Sequence, residues 1–143
     1  MAAQPVELEL QLYPTTRFDV IDVTRLLAAR VGDSLRDYRR VLYCSHHTTA
    51  GYLEEGVSRR LEHRIERVDP YIRSYQQLFP AGAGYRHDEM ALRSELSDEQ
   101  RMHEPPNADA HLTFIGSGLQ SCVTYPNEPG LPVFFMDLDG VYQ

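Results

Sequence analysis

Three short stretches of the chain combine a histidine with small or polar neighbours, and each is a candidate for chemistry. They read HHTTAG at 46–51, GYRHD at 84–88 and NADAH at 107–111. One follows an apolar run, one follows a glycine turn and one opens a predicted helix, and the ends of elements commonly carry functional side chains. Three neutral imidazoles and one water make an open tetrahedral zinc site, in which the metal lowers the pKa of the water to about 7.

Two carboxylates lie close to these histidines. Asp88 follows His87 directly, and Asp109 stands two residues before His111. Carboxylates that hydrogen-bond a metal-bound imidazole fix its orientation. None of the stretches is a local zinc motif such as HExxH, and an isolated histidine is more often a surface or core residue than a ligand.

The remaining histidines have plainer interpretations. His63 falls among charged residues of a predicted helix, and His103 lies in an acidic segment, so we expect both to be solvated. If the strand before them continues, His46 and His47 face opposite sides, and only one of them points inward.

The elements that must position these side chains follow from periodicity. Alternation of Val6, Leu8, Leu10 and Leu12 with polar residues predicts a first strand over 6–12. Further strands are predicted at 17–21, 40–45, 120–125 and 133–138. Between the first two of these, Asp22 or Thr24 caps a helix that ends at Gly32.

Apolar residues at helical spacing predict a helix from about residue 55 to 68. Asp69-Pro70 predicts the start of a second helix, because proline is favoured at the first helical position. The acidic segment 88–106 is expected to form a long or partly helical loop, and 108–115 a helix. Gly116 and Gly118 end that helix, and Ser117 between them could help to hold a phosphate.

Composition restricts the class of protein. A chain of 143 residues with net charge −7 is expected to be one domain without a nucleic-acid surface, since binding phosphate backbones needs a basic face. All 14 basic residues are arginine.

No apolar run reaches the length of a membrane span and the N-terminus lacks a signal-peptide pattern, so a cytoplasmic location is expected. Cys44 and Cys122 are far apart in sequence, which suggests no disulfide framework, and Cys44 is expected to be an inert packed thiol.

Four motifs in order resemble the YjbQ-like family, whose members are often described as secondary thiamine-phosphate synthases. They are HTTA at 47–50, Y-x-HD at 85–88, N-x-x-x-H at 107–111 and DLDG at 137–140. The resemblance covers most of the chain and implies an α+β fold with a two-sheet, β-sandwich-like core of about seven strands and two or three helices. It also implies a homotrimer and a site of three histidines, which match His47, His87 and His111 here.

The chain departs from the family pattern in three places. The family carries a glutamate nine residues after its first histidine, whereas Glu54 and Glu55 stand seven and eight residues after His47. The chain has no tryptophan, although the family usually has a G-x-W-Q motif before its closing segment. The single domain over 1–143 is expected to lack the family's last strand.

These observations lead to one leading hypothesis and two alternatives. The leading one is a metal-dependent enzyme with thiamine-phosphate-synthase-like activity on a small phosphorylated substrate, with zinc held by the three histidines. Asp88, Asp109 or Glu55 would orient ligands or move a proton, and Thr48, Thr49, Asn107 and Ser117 would bind the ligand. The alternatives are a zinc-dependent hydrolase of a small phosphate or amide, and a non-catalytic trimer that binds a metal or ligand.

Overall fold

The computed structural model describes residues 4–140. Among these residues, five strands form two antiparallel sheets, accompanied by five α-helices and two 3-10 turns at Arg86–Asp88 and Met90–Leu92. The strands are β1 (Asp19–Asp22), β2 (Arg40–Cys44), β3 (Ala50–Tyr52), β4 (Cys122–Pro126) and β5 (Phe134–Asp137). The helices are α1 (Val23–Val31), α2 (Glu55–Arg60), α3 (Ile65–Leu78), α4 (Asp98–His103) and α5 (Ala108–Gly116). The α+β class is confirmed, with fewer strands and more helices than expected.

The larger sheet has the strand order β1-β5-β3, so β5 is central. Every residue of β5 is buried, as expected for a strand covered on both faces. Antiparallel pairing places both Asp19 and Ala50 opposite Asp137. The end of β5 therefore lies beside the HTTA stretch, and the main-chain N–H of Leu138 donates to the Thr49 carbonyl over 3.0 Å.

The chain packs in three layers around β5. Phe135 joins a hydrophobic cluster with Tyr43 and Tyr125 from the smaller sheet, so this cluster fills the space between the two sheets. Met136 joins a second cluster with Ile72 of α3 and other residues, which lies between the larger sheet and the helices. Neighbouring residues of β5 face opposite clusters because side chains alternate along a strand.

The smaller sheet pairs β2 with β4 and places Cys44 opposite Cys122. Tyr43 and Val123, one residue along each strand, are buried, whereas both cysteines are exposed free thiols. The expectation that Cys44 is packed is therefore wrong, and its inertness stays a prediction. An apolar sequence around a cysteine does not fix which face of the pleat it occupies.

The strand predicted over residues 6–12 does not form, since residues 4–14 have no regular secondary structure. Side chains of Arg30 and Tyr38 instead donate to the carbonyls of Glu9 and Gln4. Leu12 still packs against the core between the sheets. The alternating pattern thus identified part of a buried face. A strand also needs a partner strand that accepts and donates its main-chain hydrogen bonds, and alternation in the sequence does not provide one.

The predictions for α1 and α5 are confirmed in position, and α5 extends one residue further than expected because it includes Gly116. The Asp22 side chain accepts from the Thr24 N–H over 3.0 Å and caps α1, and Gly32 follows its last residue with a φ of +54°. The 133–138 prediction matches β5, and the acidic segment contains α4, which begins with a capping box at Ser97.

The helix predicted from residue 55 to 68 is divided. Helix α2 ends at Arg60, and Glu62 and His63 adopt φ values of 60° and 51°, which interrupt helical geometry. Pro70 lies inside α3 rather than at its start, although it cannot donate a helical hydrogen bond. The buried side chains on either side of Pro70 hold α3 in the core despite this loss.

No helix within residues 4–140 has the length and apolar character needed to cross a bilayer.

Candidate functional site

Six side chains from four separate segments meet at the start of α5, and we call them the polar cluster. Arg17 precedes β1, His87 lies in the first 3-10 turn and Asp139 follows β5; Asn107, Asp109 and His111 belong to the start of α5. The Y-x-HD, N-x-x-x-H and DLDG motifs each contribute to it.

A chain of hydrogen bonds fixes the state of His87. The Asn107 amide Nδ2 donates to Asp139 Oδ2 over 2.9 Å, and both of these residues are buried. Because an ionised carboxylate only accepts, this bond also fixes which way the amide points. Asn107 Oδ1 must then accept from His87, 2.9 Å away, so His87 carries its proton on Nε2. In the neutral ring, Nδ1 is left as the basic nitrogen.

Arg17 pairs with the two buried acids beside this chain, Asp109 and Asp139. Its two terminal nitrogens bind the two Asp109 oxygens at 2.8 and 2.9 Å, and its Nε lies 3.3 Å from Asp139 Oδ1. The hydrogen bond with Asp109 raises the pKa of the guanidinium, although burial opposes the rise. Planar two-point pairing of this kind fixes orientation as well as charge. Arg17 therefore holds the Asp139 carboxylate in the position from which it accepts the hydrogen bond of the Asn107 amide.

His111 packs against His87 with ring centroids 4.9 Å apart and an interplanar angle of 72°. Burial lowers the pKa of His111, the nearby His87 lowers it further, and the charges of Asp139 and Glu104 oppose the change. His111 is consequently a neutral imidazole at neutral pH. The site presents two half-buried imidazoles in contact.

Asp88 lies beside the cluster and occupies the N-terminus of α5. Its Oδ1 accepts from the Ala108 N–H over 2.9 Å, where a carboxylate is favoured by the helix dipole. Its Oδ2 is buried and has no hydrogen-bond partner within residues 4–140. The catalytic roles assigned to Asp88 and Asp109 stay predictions. In the structure, Asp88 caps α5 and Asp109 pairs with Arg17.

The HTTA stretch reaches the same region only in part. Thr49 is buried and bonds to Leu138 through its main chain, whereas His47 and Thr48 are exposed in the turn between β2 and β3. The His47 N–H donates to Ser45 Oγ over 3.2 Å. Its imidazole takes no part in the hydrogen bonds or ring contacts of the polar cluster within the described residues. The ligand-binding roles of Thr48 and Thr49 stay predictions.

Two predicted site residues make contacts away from the polar cluster. Glu55 on α2 forms an ion pair with Arg59, which lowers the pKa of its carboxyl. The buried Ser117 hydroxyl donates to the Thr113 carbonyl over 2.6 Å, and its own carbonyl accepts from Tyr71. Both residues have structural partners, and their catalytic and ligand-binding roles remain untested predictions.

The metal-dependent function predicted from the sequence is wrong. Across residues 4–140, no three or more histidine, cysteine, aspartate or glutamate side chains are placed so that they could hold a metal ion. His87 and His111 do meet, but His47 does not complete a ligand set with them. This finding does not test which ion the protein would bind, so zinc as the cofactor stays a prediction.

Sequence reasoning missed two members of the polar cluster, Arg17 and Asp139. Asp139 stands within the DLDG motif, so that motif contained the signal. Arg17 carries no local signal, because it is one of 14 arginines and its partners lie 92 and 122 residues further along the chain.

Two surface concavities lie apart from the polar cluster. One, of about 530 Å³, is lined by residues of β2, β4 and the start of α2, including Arg40, Glu55 and Cys122. The other, of about 500 Å³, is lined by residues around Asp22, His63 and Phe134. We assign the candidate site by its chemistry, because neither concavity contains a comparable set of paired, buried polar groups.

The fold and the polar cluster together define an α+β protein with two antiparallel sheets and a pair of contacting imidazoles. Solved structures of YjbQ-like proteins share this fold. An uncharacterised conserved protein of the YjbQ/UPF0047 family from Clostridium acetobutylicum is 21% identical with a TM-score of 0.54, and the match covers 90% of this chain and 88% of that one.

A hypothetical protein from Aeropyrum pernix K1 is 17% identical over 90% of this chain and 85% of its own, with a TM-score of 0.56. A YbjQ-like protein of unknown function from Sulfolobus solfataricus P2 is 16% identical over 90% and 83%, with a TM-score of 0.58. No family model and no curated protein matches the chain.

The predicted resemblance to the YjbQ-like family is thus confirmed, and the chain has the YjbQ-like fold. The same neighbours are described as uncharacterised, hypothetical or of unknown function. They lend no support to thiamine phosphate synthesis, which was predicted from the family resemblance.

Proposed function

We propose that His87 and His111 form an acid–base pair that transfers protons on a small polar molecule. The observation that carries this proposal is the contact between two half-buried imidazoles, one of which has its tautomer fixed by the Asn107–Asp139 chain. Histidine is the side chain most often used for proton transfer, and a positioned group of this kind contributes about 10²- to 10⁴-fold to a rate.

The two rings differ in the way such a pair requires. His111 is neutral at neutral pH and is the better candidate for the base, because its burial disfavours a resting positive charge. His87 has a fixed Nε2–H and a basic Nδ1, so its ring is held in one orientation. A base must stay unprotonated between turnovers and must not rotate away from the substrate.

The carboxylates near His111 favour the transient imidazolium. The Asp139 carboxylate raises the proton affinity of His111 even though burial and His87 have the larger opposite effect. When His111 accepts a proton, this buried charge offsets part of the cost of burying the cation. A preorganised charge aimed at the group that becomes charged is an effective way to lower a barrier.

The small phosphorylated substrate stays a prediction, and its phosphate group would have to bind at a site separate from the two imidazoles. Main-chain amides at a helix N-terminus often hold phosphate, but here Asp88 already accepts from the Ala108 N–H. Around the imidazoles, the four acids Asp88, Asp109, Asp139 and Glu104 outnumber the two arginines, Arg17 and Arg93. We therefore expect the reacting group at the imidazoles to be neutral or cationic. The homotrimer and the cytoplasmic location also stay predictions.

A deuterium-exchange screen tests the acid–base proposal without knowledge of the substrate. Purified protein is incubated in D₂O with a defined mixture of small hydroxy, oxo and phosphorylated compounds, and mass spectrometry records new products and deuterium uptake. Proton transfer at carbon leaves deuterium in the compound even where no net reaction follows.

The variants His87→Gln and His111→Gln should lose the signal at least 100-fold, in line with the contribution of one acid–base group. His103→Gln is the matched control, because His103 is exposed on α4 and lies outside the polar cluster. Wild-type protein that neither converts nor labels any compound, or a His111→Gln variant with full activity, would contradict the proposal.

A further inference from the structure

The two cysteines occupy a position in the smaller sheet that suits a cross-strand bond. The Ser45 N–H donates to the Ser121 carbonyl over 2.8 Å, which makes that pair hydrogen-bonded. Since hydrogen-bonded and non-hydrogen-bonded pairs alternate, the next pair, Cys44 and Cys122, is non-hydrogen-bonded. Cα atoms in such pairs are about 4.5 Å apart, within the range of about 4.4–6.8 Å found across disulfides.

The thiols already point at each other. Their sulfur atoms are 3.1 Å apart, with the Cys122 thiol donating to Cys44 Sγ. A bond length of about 2.05 Å would require the sulfurs to approach by roughly 1 Å, which rotation of the two side chains can supply. The register of β2 against β4 would be unchanged.

Both thiols are accessible to a reagent from solution. Cys44 and Cys122 are exposed, and Leu42 and Thr124 on the same face of the sheet are exposed as well. Cys122 also lines the concavity of about 530 Å³ together with Arg40. A small anionic disulfide can therefore reach the pair from the open side of the sheet.

We propose that Cys44 and Cys122 are a dithiol modification site that exchanges with small-molecule disulfides such as oxidised glutathione. This site is separate from the polar cluster, and the inference does not depend on the acid–base proposal. Its product is an intramolecular disulfide between β2 and β4, and its reversal needs a thiol reductant.

The exchange balances in two steps. One cysteine thiolate attacks a sulfur of the reagent, so that a mixed disulfide forms and one reagent thiolate leaves. The thiolate of the other cysteine then attacks the protein sulfur of the mixed disulfide and expels the second reagent half. Two protein thiols become one disulfide, the reagent disulfide becomes two thiols, and the protons lost by the cysteines are taken up by the departing thiolates.

Mass spectrometry and thiol titration after treatment with oxidised glutathione test the site. In wild-type protein the free thiols should fall from two per chain to none, the mass should fall by two hydrogens, and no glutathione adduct should accumulate. The matched variants Cys44→Ser and Cys122→Ser lack the resolving thiol, so each should instead accumulate one stable glutathione adduct. Dithiothreitol should reverse both modifications.

Three outcomes would overturn the proposal. One is a wild-type protein that retains both free thiols under conditions in which the single variants are modified. Another is wild-type protein that carries stable glutathione on both cysteines. The third is a disulfide that links two chains, seen as a dimer on a non-reducing gel. Circular dichroism before and after treatment establishes that the wild type and variants are folded when the thiols are counted.

Discussion

Removal of Arg17 is the most direct perturbation of the polar cluster. The substitution Arg17→Met keeps most of the side-chain length but leaves Asp109 and Asp139 without their counter-charge. The side chains of these two acids are only 11% and 3% exposed. An ionised carboxylate buried without a partner is strongly disfavoured, so the variant should be less stable than the wild type.

The expected magnitude follows from the burial of the three groups. Breaking a buried ion pair by removing one partner costs about 3–5 kcal/mol. Arg17 itself is 31% exposed, and solvent screens part of its interaction, so we expect a loss of about 2–3 kcal/mol in the free energy of unfolding. The pKa of Arg17 is raised, so the guanidinium keeps its charge at every pH below its ordinary pKa, and the contribution lasts as long as its partner carboxylates are ionised.

Urea denaturation at pH 7 measures the effect, and a double-mutant cycle isolates the pair. We expect a coupling energy of about 1–3 kcal/mol between Arg17→Met and Asp109→Asn. The control cycle uses Arg36 and Asp33, whose nitrogen and oxygen lie 2.9 Å apart but whose side chains are 74% and 86% exposed. Its coupling should be below about 0.5 kcal/mol. If the two cycles give equal coupling energies, the argument from burial is refuted.

Two further predictions concern a titration and a close packing contact. NMR titration should place the pKa of His111 below its ordinary 6.5, and His87→Gln should raise it, because His87 contributes to the lowering. Since the folded pKa is depressed, the stability from neutral His111 is present above pH 6.5 and is lost as pH falls through the folded value. His111→Gln should remove this pH dependence. Gly51→Ala should lower the free energy of unfolding by about 1–3 kcal/mol in thermal or urea denaturation, because the new Cβ would overlap the Gln120 carbonyl. In the control, Gly56→Ala on α2, the new Cβ meets open space, and the free energy of unfolding should rise by about 0.5–1 kcal/mol. A His111 pKa above 6.5, or equal stability of the two glycine variants, would contradict these predictions.

Local signals predicted much of the fold. The Asp22 cap, the Gly32 stop and the positions of β2 and β5 all follow from residue types that act over a few positions. The failures were those in which a local pattern lacked its tertiary partner. The alternation at 6–12 found no strand to pair with, and Pro70 remains inside α3 because its neighbours are buried against the larger sheet.

The candidate site was predicted in part. His87, Asn107, Asp109 and His111 were identified as functional candidates, and they do lie together. The metal site expected of His47, His87 and His111 was wrong, because His47 lies in an exposed turn and completes no ligand set with the other two within residues 4–140. A strand end specifies that a histidine is near an edge, but the turn after it decides where the ring points.

By itself, the sequence determined the ends of several elements and the motifs that carry the polar residues, since each of these depends on interactions between near neighbours in the chain. The α+β class followed from the resemblance of those motifs to the YjbQ-like family. Only the tertiary structure decided that Arg17 pairs with acids 92 and 122 residues away and that Cys44 faces Cys122 across a sheet. Those pairings depend on strand order and register. Such long-range geometry is selected by burial of the whole core, and no short stretch of residues specifies it.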